Sequence, residues 1–273
     1  MPSPRFVHLR FHSEYSITDG IVRIDPMIHA VLEGGGAAVG ISDLMNVFGG
    51  LRFYTHALAA GLKPILGCDL KVINPKDLNK PFRLGVLCMN HEGYHSLSVL
   101  LTKAFLTNND AARGLVDPKW FDDGGSEGLI ALSGAAQGEL GSLLLGKKWA
   151  LAHEAAERFK AQFPGRFYVE LQRAGRPTDE LATARLANFA VEEKLPVVAT
   201  HPIQFLKPED FEAHEVRCSI AEGYTLQDPR RVKRYTPEQY LKSEAEMCEL
   251  FADIPAAIEN TTAAFPDARR HVA

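Results

Sequence analysis

No two cysteines stand close together in this chain: Cys68, Cys88, Cys218 and Cys248 are scattered through 273 residues. Such spacing supports neither a zinc ribbon nor a disulfide framework, so a reduced, cytoplasmic setting is expected. Long hydrophobic runs are also missing. Nothing approaches about 18 uninterrupted apolar residues, and Met1 to Arg5 lead into a strand-like segment without an apolar signal core. Neither export nor membrane insertion is expected. Positive charge is not in excess, since 30 Lys and Arg face 34 Asp and Glu for a net charge of −4. A protein built around a basic groove for phosphates clusters Lys and Arg to displace counterions; this balance argues against one, though not against a local patch. Repeats, low-complexity tracts and Pro/Ser-rich linkers are absent as well. A single domain over 1–262 is therefore expected, followed by an aperiodic tail, 263–273, that reads as a truncation.

What is present is an ordinary globular composition, 46% hydrophobic and 23% charged, which excludes a disordered, collagenous or coiled-coil chain. Seven apolar, β-branched-rich runs read as strands: Phe6 to His12, Ala37 to Asp43, Lys63 to Ile73, Phe82 to Asn90, Gly128 to Gly134, Arg166 to Gln172 and Pro196 to Phe205. Helical spacing falls between or after them, over Asp25 to Glu33, Gly50 to Ala60, Glu92 to Leu106, Gln137 to Leu145, Lys148 to Gln162, Asp179 to Lys194, Pro208 to Glu222 and Pro237 to Phe251. Alternating strands and helices predict parallel pairing through crossover helices, apart from the short link between the third and fourth strands. An α/β fold follows, either an open doubly wound sheet or a closed barrel. No Gly-x-Gly-x-x-Gly follows a strand and no Gly-x-x-x-x-Gly-Lys occurs, which favours a distorted seven-stranded barrel. Gly34-Gly35-Gly36 precedes a strand and reads as the end of the helix before it.

Chemistry in such a barrel gathers at the C-terminal ends of strands. Alternation places His8, Arg10 and His12 on one face of the first strand, opposite Val7, Leu9 and Phe11. Other strand ends bring Asp43, Asp69, Arg83, His201 and Gln204, and Asp19 follows in a loop closed by Gly20. Imidazoles and carboxylates converging on a barrel mouth could hold a divalent ion. Isolated His and Asp at strand ends more often serve as caps or ion pairs. Tyr15 and Ser16 read as residues that order the Asp19 loop, and His91, His95 and His214 as surface or packing residues. The basic run Arg230-Arg231-Val232-Lys233-Arg234 reads as a solvated loop, and Glu244 and Glu246 as an exposed helix face.

An ordered series of segments carries a resemblance. It comprises His12-Ser13-Glu14-Tyr15-Ser16 with Asp19-Gly20, Ile41-Ser42-Asp43 with Asn46, and Gly61-Leu62-Lys63-Pro64-Ile65-Leu66-Gly67-Cys68-Asp69. Gly128 to Ser133, Phe167-Tyr168-Val169-Glu170-Leu171, Pro196 to Thr200, Ala213-His214-Glu215-Val216 and Tyr240-Leu241-Lys242-Ser243 continue it. Over roughly residues 5 to 262 the chain resembles the polymerase-and-histidinol-phosphatase (PHP) domain of bacterial DNA polymerase III alpha subunits, of the type with a degraded metal site. The resemblance implies a distorted seven-stranded β/α barrel and an ancestral metal-dependent phosphoester hydrolysis, in some members a 3′–5′ exonuclease.

Position by position, His12, Asp19 and Asp69 match ligand positions, Asp69 where Glu is usual. Arg10 replaces the first His of a His-x-His pair, Leu44 the His after Asp43, and Arg83 the His opening the fourth strand. Ala135 falls where Cys is common, and Pro202 and Gln204 take the Asp and His places of the last strand. His201, offset by one residue, turns to the opposite face unless Pro202 creates a bulge. Arginines cannot coordinate a cation and repel it, so Arg10 and Arg83 are expected to pair with Asp19, Asp69 or Asp43. The resemblance therefore implies an inactive scaffold in DNA replication, part of a DNA-directed DNA polymerase (a nucleotidyltransferase). The polymerase catalytic core would lie in cis, a separate proofreading exonuclease subunit would dock on the domain, and DNA would be met only through the holoenzyme. The alternative is a residual phosphoesterase or 3′–5′ exonuclease. No cofactor is expected beyond at most one weakly held Zn, Mn or Mg ion.

Overall fold

The computed structural model describes residues 6–107, 114–122 and 124–264. Strands β1 (Ala38–Ile41), β2 (Lys63–Val72), β3 (Phe82–Cys88), β4 (Leu129–Leu132), β5 (Phe167–Gln172) and β6 (Val197–Thr200) form one sheet in chain order. Helices α1 (Ile24–Glu33), α2 (Gly50–Ala59), α3 (His91–Thr107), α4 (Glu139–Leu145), α5 (Trp149–Gln162), α6 (Asp179–Glu192), α7 (Phe211–Glu222), α8 (Glu244–Leu250) and α9 (Pro255–Ala263) lie between and after them. None of the described helices is long and apolar enough to cross a membrane.

The short link between β2 and β3 was the expected exception to parallel pairing, and the expectation fails between β3 and β4: β3 pairs antiparallel with both β2 and β4, while the other neighbours pair parallel. The link 73–81 is too short for a crossover helix, which needs a dozen or more residues, so β3 folds back as a hairpin partner. This reversal matters for the site. β3 begins where β2 ends, so its early residue Arg83 stands beside Lys71, its cross-strand partner.

Six strands are found where seven were expected. Phe6 to His12 forms only isolated bridges, His8 to Val39 and Phe11 to Ile203, and so closes the curl between β1 and the residues after β6. Its ladder is broken by an extra residue. Gly40 N–H donates to His8 O and Ser42 N–H to Phe11 O, so a step of two residues on one side meets three on the other. Such a bulge puts successive residues on one face and reverses the alternation beyond it.

The inner face of the curl can be read from packing. Leu9, Ala38, Ile65, Leu87, Leu132 and Val198 come from the leading segment and from five strands, yet they share one cluster. Residues of opposite parity, such as Cys68, Leu84, Ala131, Val169 and Ala199, pack into the outer layer with the helices. The expected helix Pro237 to Phe251 shortens to α8, because residues before it are held in other pairing: Tyr240 bridges Phe205, and Gln239 O accepts from Gln204 N–H. Ser243 caps α8 through a reciprocal bond with Glu246. The helix α9, which the sequence reading missed, starts at Pro255 and docks on β6 through Asn260 Nδ2 to Val197 O at 2.8 Å. Of the tail expected from Ala263, residues 265–273 lie outside the described residues.

Candidate functional site

Inward parity carries the polar residues upward from the apolar interior. On β2 the face that buries Ile65 continues to Asp69 and Lys71; on β3 the face of Leu87 leads to Arg83. On β5, Glu170 and Gln172 share the parity of Tyr168, and beyond β6, Pro202 and Gln204 share that of Val198. Apart from Glu170, these positions converge with Arg10, His12 and Asp19 around a cavity of about 920 Å³.

Arg10 occupies the centre. It forms ion pairs with Asp69 and with Glu170, whose two carboxylate oxygens accept from Arg10 Nη1 at 3.1 and 3.0 Å. All three side chains are almost fully buried. Glu170 also accepts from Gly134 N–H at 2.9 Å, from the Thr200 hydroxyl and from Gln172 Nε2 at 3.0 Å. Gly134 can bring its amide there because its φ of 79° suits glycine. Arg83 Nη1 stands 3.7 Å from Asp69 Oδ2.

His12 sits between two carboxylates, with Nδ1 3.2 Å from Asp19 and Nε2 3.5 Å from Asp69. Burial pulls its pKa down, but the negative charges of Asp19 and Asp69 win and hold it up at about 9. Burial likewise works against ionisation of Asp19 and Asp69, yet His12 for the first, and Arg10 with Arg83 for the second, hold both well below the usual carboxylate range. Ser16 donates to Asp19 at 2.6 Å and accepts from Leu44 N–H, while Tyr235 donates to Asp19 at 3.2 Å. His214 donates to the Asp19 carbonyl at 2.8 Å, which makes it a buried support of this loop. The loop turns at Gly20, where a Cβ would overlap the Ser13 carbonyl.

Several expected site residues lie elsewhere. His8 does not share a face with Arg10 and His12, because the bulge intervenes; its Nε2–H donates to Lys242 O at 2.8 Å on the outer side. His201 also points outward, donating to Glu238 O at 2.8 Å, and no bulge at Pro202 brings it back. Both imidazoles are buried. Desolvation pushes His8 down to about 4 and His201 to about 3. Asp43 shares the outward parity of Ile41 and pairs with neither arginine. It accepts from Ser13 N–H and hydroxyl at 2.6 and 2.7 Å, and burial raises its pKa to about 6. Gln204 does reach the site, 3.3 Å from His12 Nδ1. In the basic run, Arg231 is not solvated but buried, 2.8 Å from Glu215.

Glu170 is the functional residue that the sequence reading missed as a site member. A carboxylate in mid-strand between Val169 and Leu171 was the available signal, because a buried charge demands a partner. Lys71, Arg176 and Tyr235 were missed with it.

The donor set does not fit a multi-metal centre. A histidine ligand needs a free lone pair, and both ring nitrogens of His12 face carboxylates, Nδ1 that of Asp19 and Nε2 that of Asp69. Of the other candidate oxygens, Asp69 Oδ2 serves Arg10 and Arg83, and the Asp19 pair serves Ser16 and Tyr235, which leaves Asp69 Oδ1 alone. Among the described residues, no three His, Cys, Asp or Glu side chains are grouped so as to hold a metal.

A family model described as "PHP domain" matches residues 8–174. The DNA polymerase III alpha subunit of Pasteurella multocida is 43% identical over 265 residues, covering 96% of this chain and 22% of that protein. That of Escherichia coli K12 is 42% identical over 261 residues, with the same coverages. The chain thus spans 22% of the length of these curated relatives. A solved two-domain protein of Bacteroides vulgatus, described as containing a predicted PHP-like metal-dependent phosphoesterase, aligns with a TM-score of 0.48 at 10% identity, over 94% of this chain and 62% of that one.

Proposed function

This chain belongs to the PHP domain family, and from that premise we propose that it is the PHP module of a replicative DNA polymerase III alpha subunit. Its work is structural, in DNA replication and in the cytoplasm. It supports the polymerase catalytic core in cis and docks a separate proofreading exonuclease subunit, so that DNA is met only through the assembled enzyme. The observation that carries this reading is Arg10, buried between Asp69 and Glu170. A catalytic metal site needs donors free to hold an ion and to position a water for attack. Here a permanent cation fills that place and neutralises the carboxylates.

One observation favours a second reading. Asp69 Oδ1 is buried without a hydrogen-bond partner. A residual phosphoesterase or 3′–5′ exonuclease would use that oxygen with His12 and Asp19 around one weakly held Zn, Mn or Mg ion.

The test combines metal content with two substrates. The purified chain, dialysed against manganese, is analysed for bound metal and then incubated with primed DNA and with p-nitrophenyl phosphate. The structural reading expects well under one equivalent of metal and no chelator-sensitive release. One or more equivalents retained, together with such release, would overturn it in favour of the second. Co-purification with the exonuclease subunit checks the docking role.

A further inference from the structure

We propose that residues 223–234 form a strap over one wall of the cavity, latched by the buried ion pair Arg231–Glu215, and that the strap opens as a unit to uncover that wall. The inference goes beyond the reading above and does not depend on it.

The place of the strap is the first ground. From α7, Cys218, Ala221 and Glu222 line the cavity, and Val232, Arg234 and Tyr235 join them there. Cys218 is buried, with Sγ 3.7 Å from His214 Nε2, and the charge of Arg231 acts on its thiol. Both ends of the strap are fixed. Gly223, at a φ of 73°, closes α7. Beyond the other end, the Tyr235 ring stands edge-on to His214 with centroids 4.6 Å apart, and the Thr236 hydroxyl donates to Ala174 O.

The second ground is how little holds the segment between those ends. It contains neither helix nor strand, and Arg231 is its one buried residue; Asp228 is half-buried and the others are exposed. Leu226 and Val232, which could have anchored it by apolar contact, are 37% and 61% exposed. Its internal bonds travel with it: Asp228 N–H donates to Thr225 O, Arg231 N–H to Asp228 O, and Arg230 pairs with Asp228 at 2.7 Å. Two ion pairs tie it to α7. One, Arg234 with Glu222, leaves Arg234 more than half exposed, and such a pair is worth little. The other is the latch, Arg231 Nη2 at 2.8 Å from Glu215 Oε2 and 3.3 Å from the Glu215 carbonyl.

The chemistry of the latch is the third ground. Two buried ions have lost their water, and their attraction does little more than offset that loss. Arg231 Nε and Glu215 Oε1 are buried with no hydrogen-bond partner. Opening returns both ions to water and satisfies both atoms, so the closed state is favoured only slightly. A segment with few buried apolar contacts opens locally, without unfolding of the whole. Access to the Cys218 wall is then set by one ion pair.

Alkylation of the full 273-residue chain by iodoacetamide under native conditions, followed cysteine by cysteine with peptide mass spectrometry, tests the proposal. Cys68, fully buried in the outer layer of the core, reports global unfolding. Cys218 should react faster than Cys68, and urea below the unfolding transition should accelerate Cys68 while leaving Cys218 nearly unchanged, because local opening exposes little surface. Arg231→Met strands Glu215 and should speed Cys218 by about tenfold or more. The double variant Arg231→Met with Glu215→Met replaces the ions by an apolar contact and should slow Cys218 below the parent rate. It leaves no buried charge in the latch, so it carries the test if the single variant fails to fold. Equal rates at Cys218 and Cys68, or an equal response to urea, overturn local opening. A Cys218 rate that the double variant leaves unchanged overturns the ion pair as the latch.

Discussion

Replacing Arg10 with methionine tests the centre of the site. The substitution keeps an unbranched apolar stem but removes the guanidinium that faces Asp69 and Glu170. Breaking one side of a buried ion pair costs about 3–5 kcal/mol, because the remaining charge stays buried without compensation. Both carboxylates would keep other partners: Glu170 the Gly134 amide, the Thr200 hydroxyl and Gln172, and Asp69 the charges of His12 and Arg83. The lower end of the range, about 3 kcal/mol, is therefore expected. At roughly 2–4 °C per kcal/mol for a domain of this size, Tm should fall by about 6–12 °C. Urea unfolding followed by circular dichroism, with an unchanged m-value, measures the loss directly. Adding Glu170→Gln to Arg10→Met removes one stranded charge, so the double variant should be more stable than the sum of the single losses. An Arg10→Met protein within about 0.5 kcal/mol of the parent, the range of ordinary surface substitutions, would refute an ion-pair cluster that stabilises the fold.

Stability should decline on both sides of neutrality, for opposite reasons. His8 and His201 are depressed to about 4 and about 3 from 6.5, so their contribution is complete above about pH 6.5 and is lost as pH falls through those lower values. His12 is raised from 6.5 to about 9, so its contribution is complete below about pH 6.5 and is lost as pH rises through 9. A Tm profile from pH 4 to 10 should show both limbs, with His8→Gln flattening the acid one; a flat profile would count against the burial of both groups. At the turn that carries Asp19, Gly20→Ala forces a methyl into the Ser13 carbonyl. A loss of about 1–3 kcal/mol, the usual cost of overpacking, is expected in urea unfolding, and no loss would mean that the turn is loose.

The sequence by itself determined the alternation of strands and helices and most of their positions, because apolar, β-branched-rich runs separated by segments of helical spacing mark them. It also brought Arg10, His12, Asp19, Asp69, Arg83 and Gln204 forward, since polar and charged residues in or just beyond apolar strands stand out. Asp43 was legible in principle as an outward residue, sharing parity with Val39 and Ile41. What only the tertiary structure decided were the features that break a period or depend on distant neighbours. The bulge between His8 and Phe11 cannot be read from a run of alternating residues, because its cause is the pairing with Gly40 and Ser42. The direction of β3 depends on a link too short for a crossover, and it sets Arg83 opposite Lys71. The partner of Arg10 lies 160 residues away at Glu170, and only the closing of the curl brings the two together. A local pattern reports which face a side chain takes, whereas an ion pair between remote segments exists only once the sheet has closed.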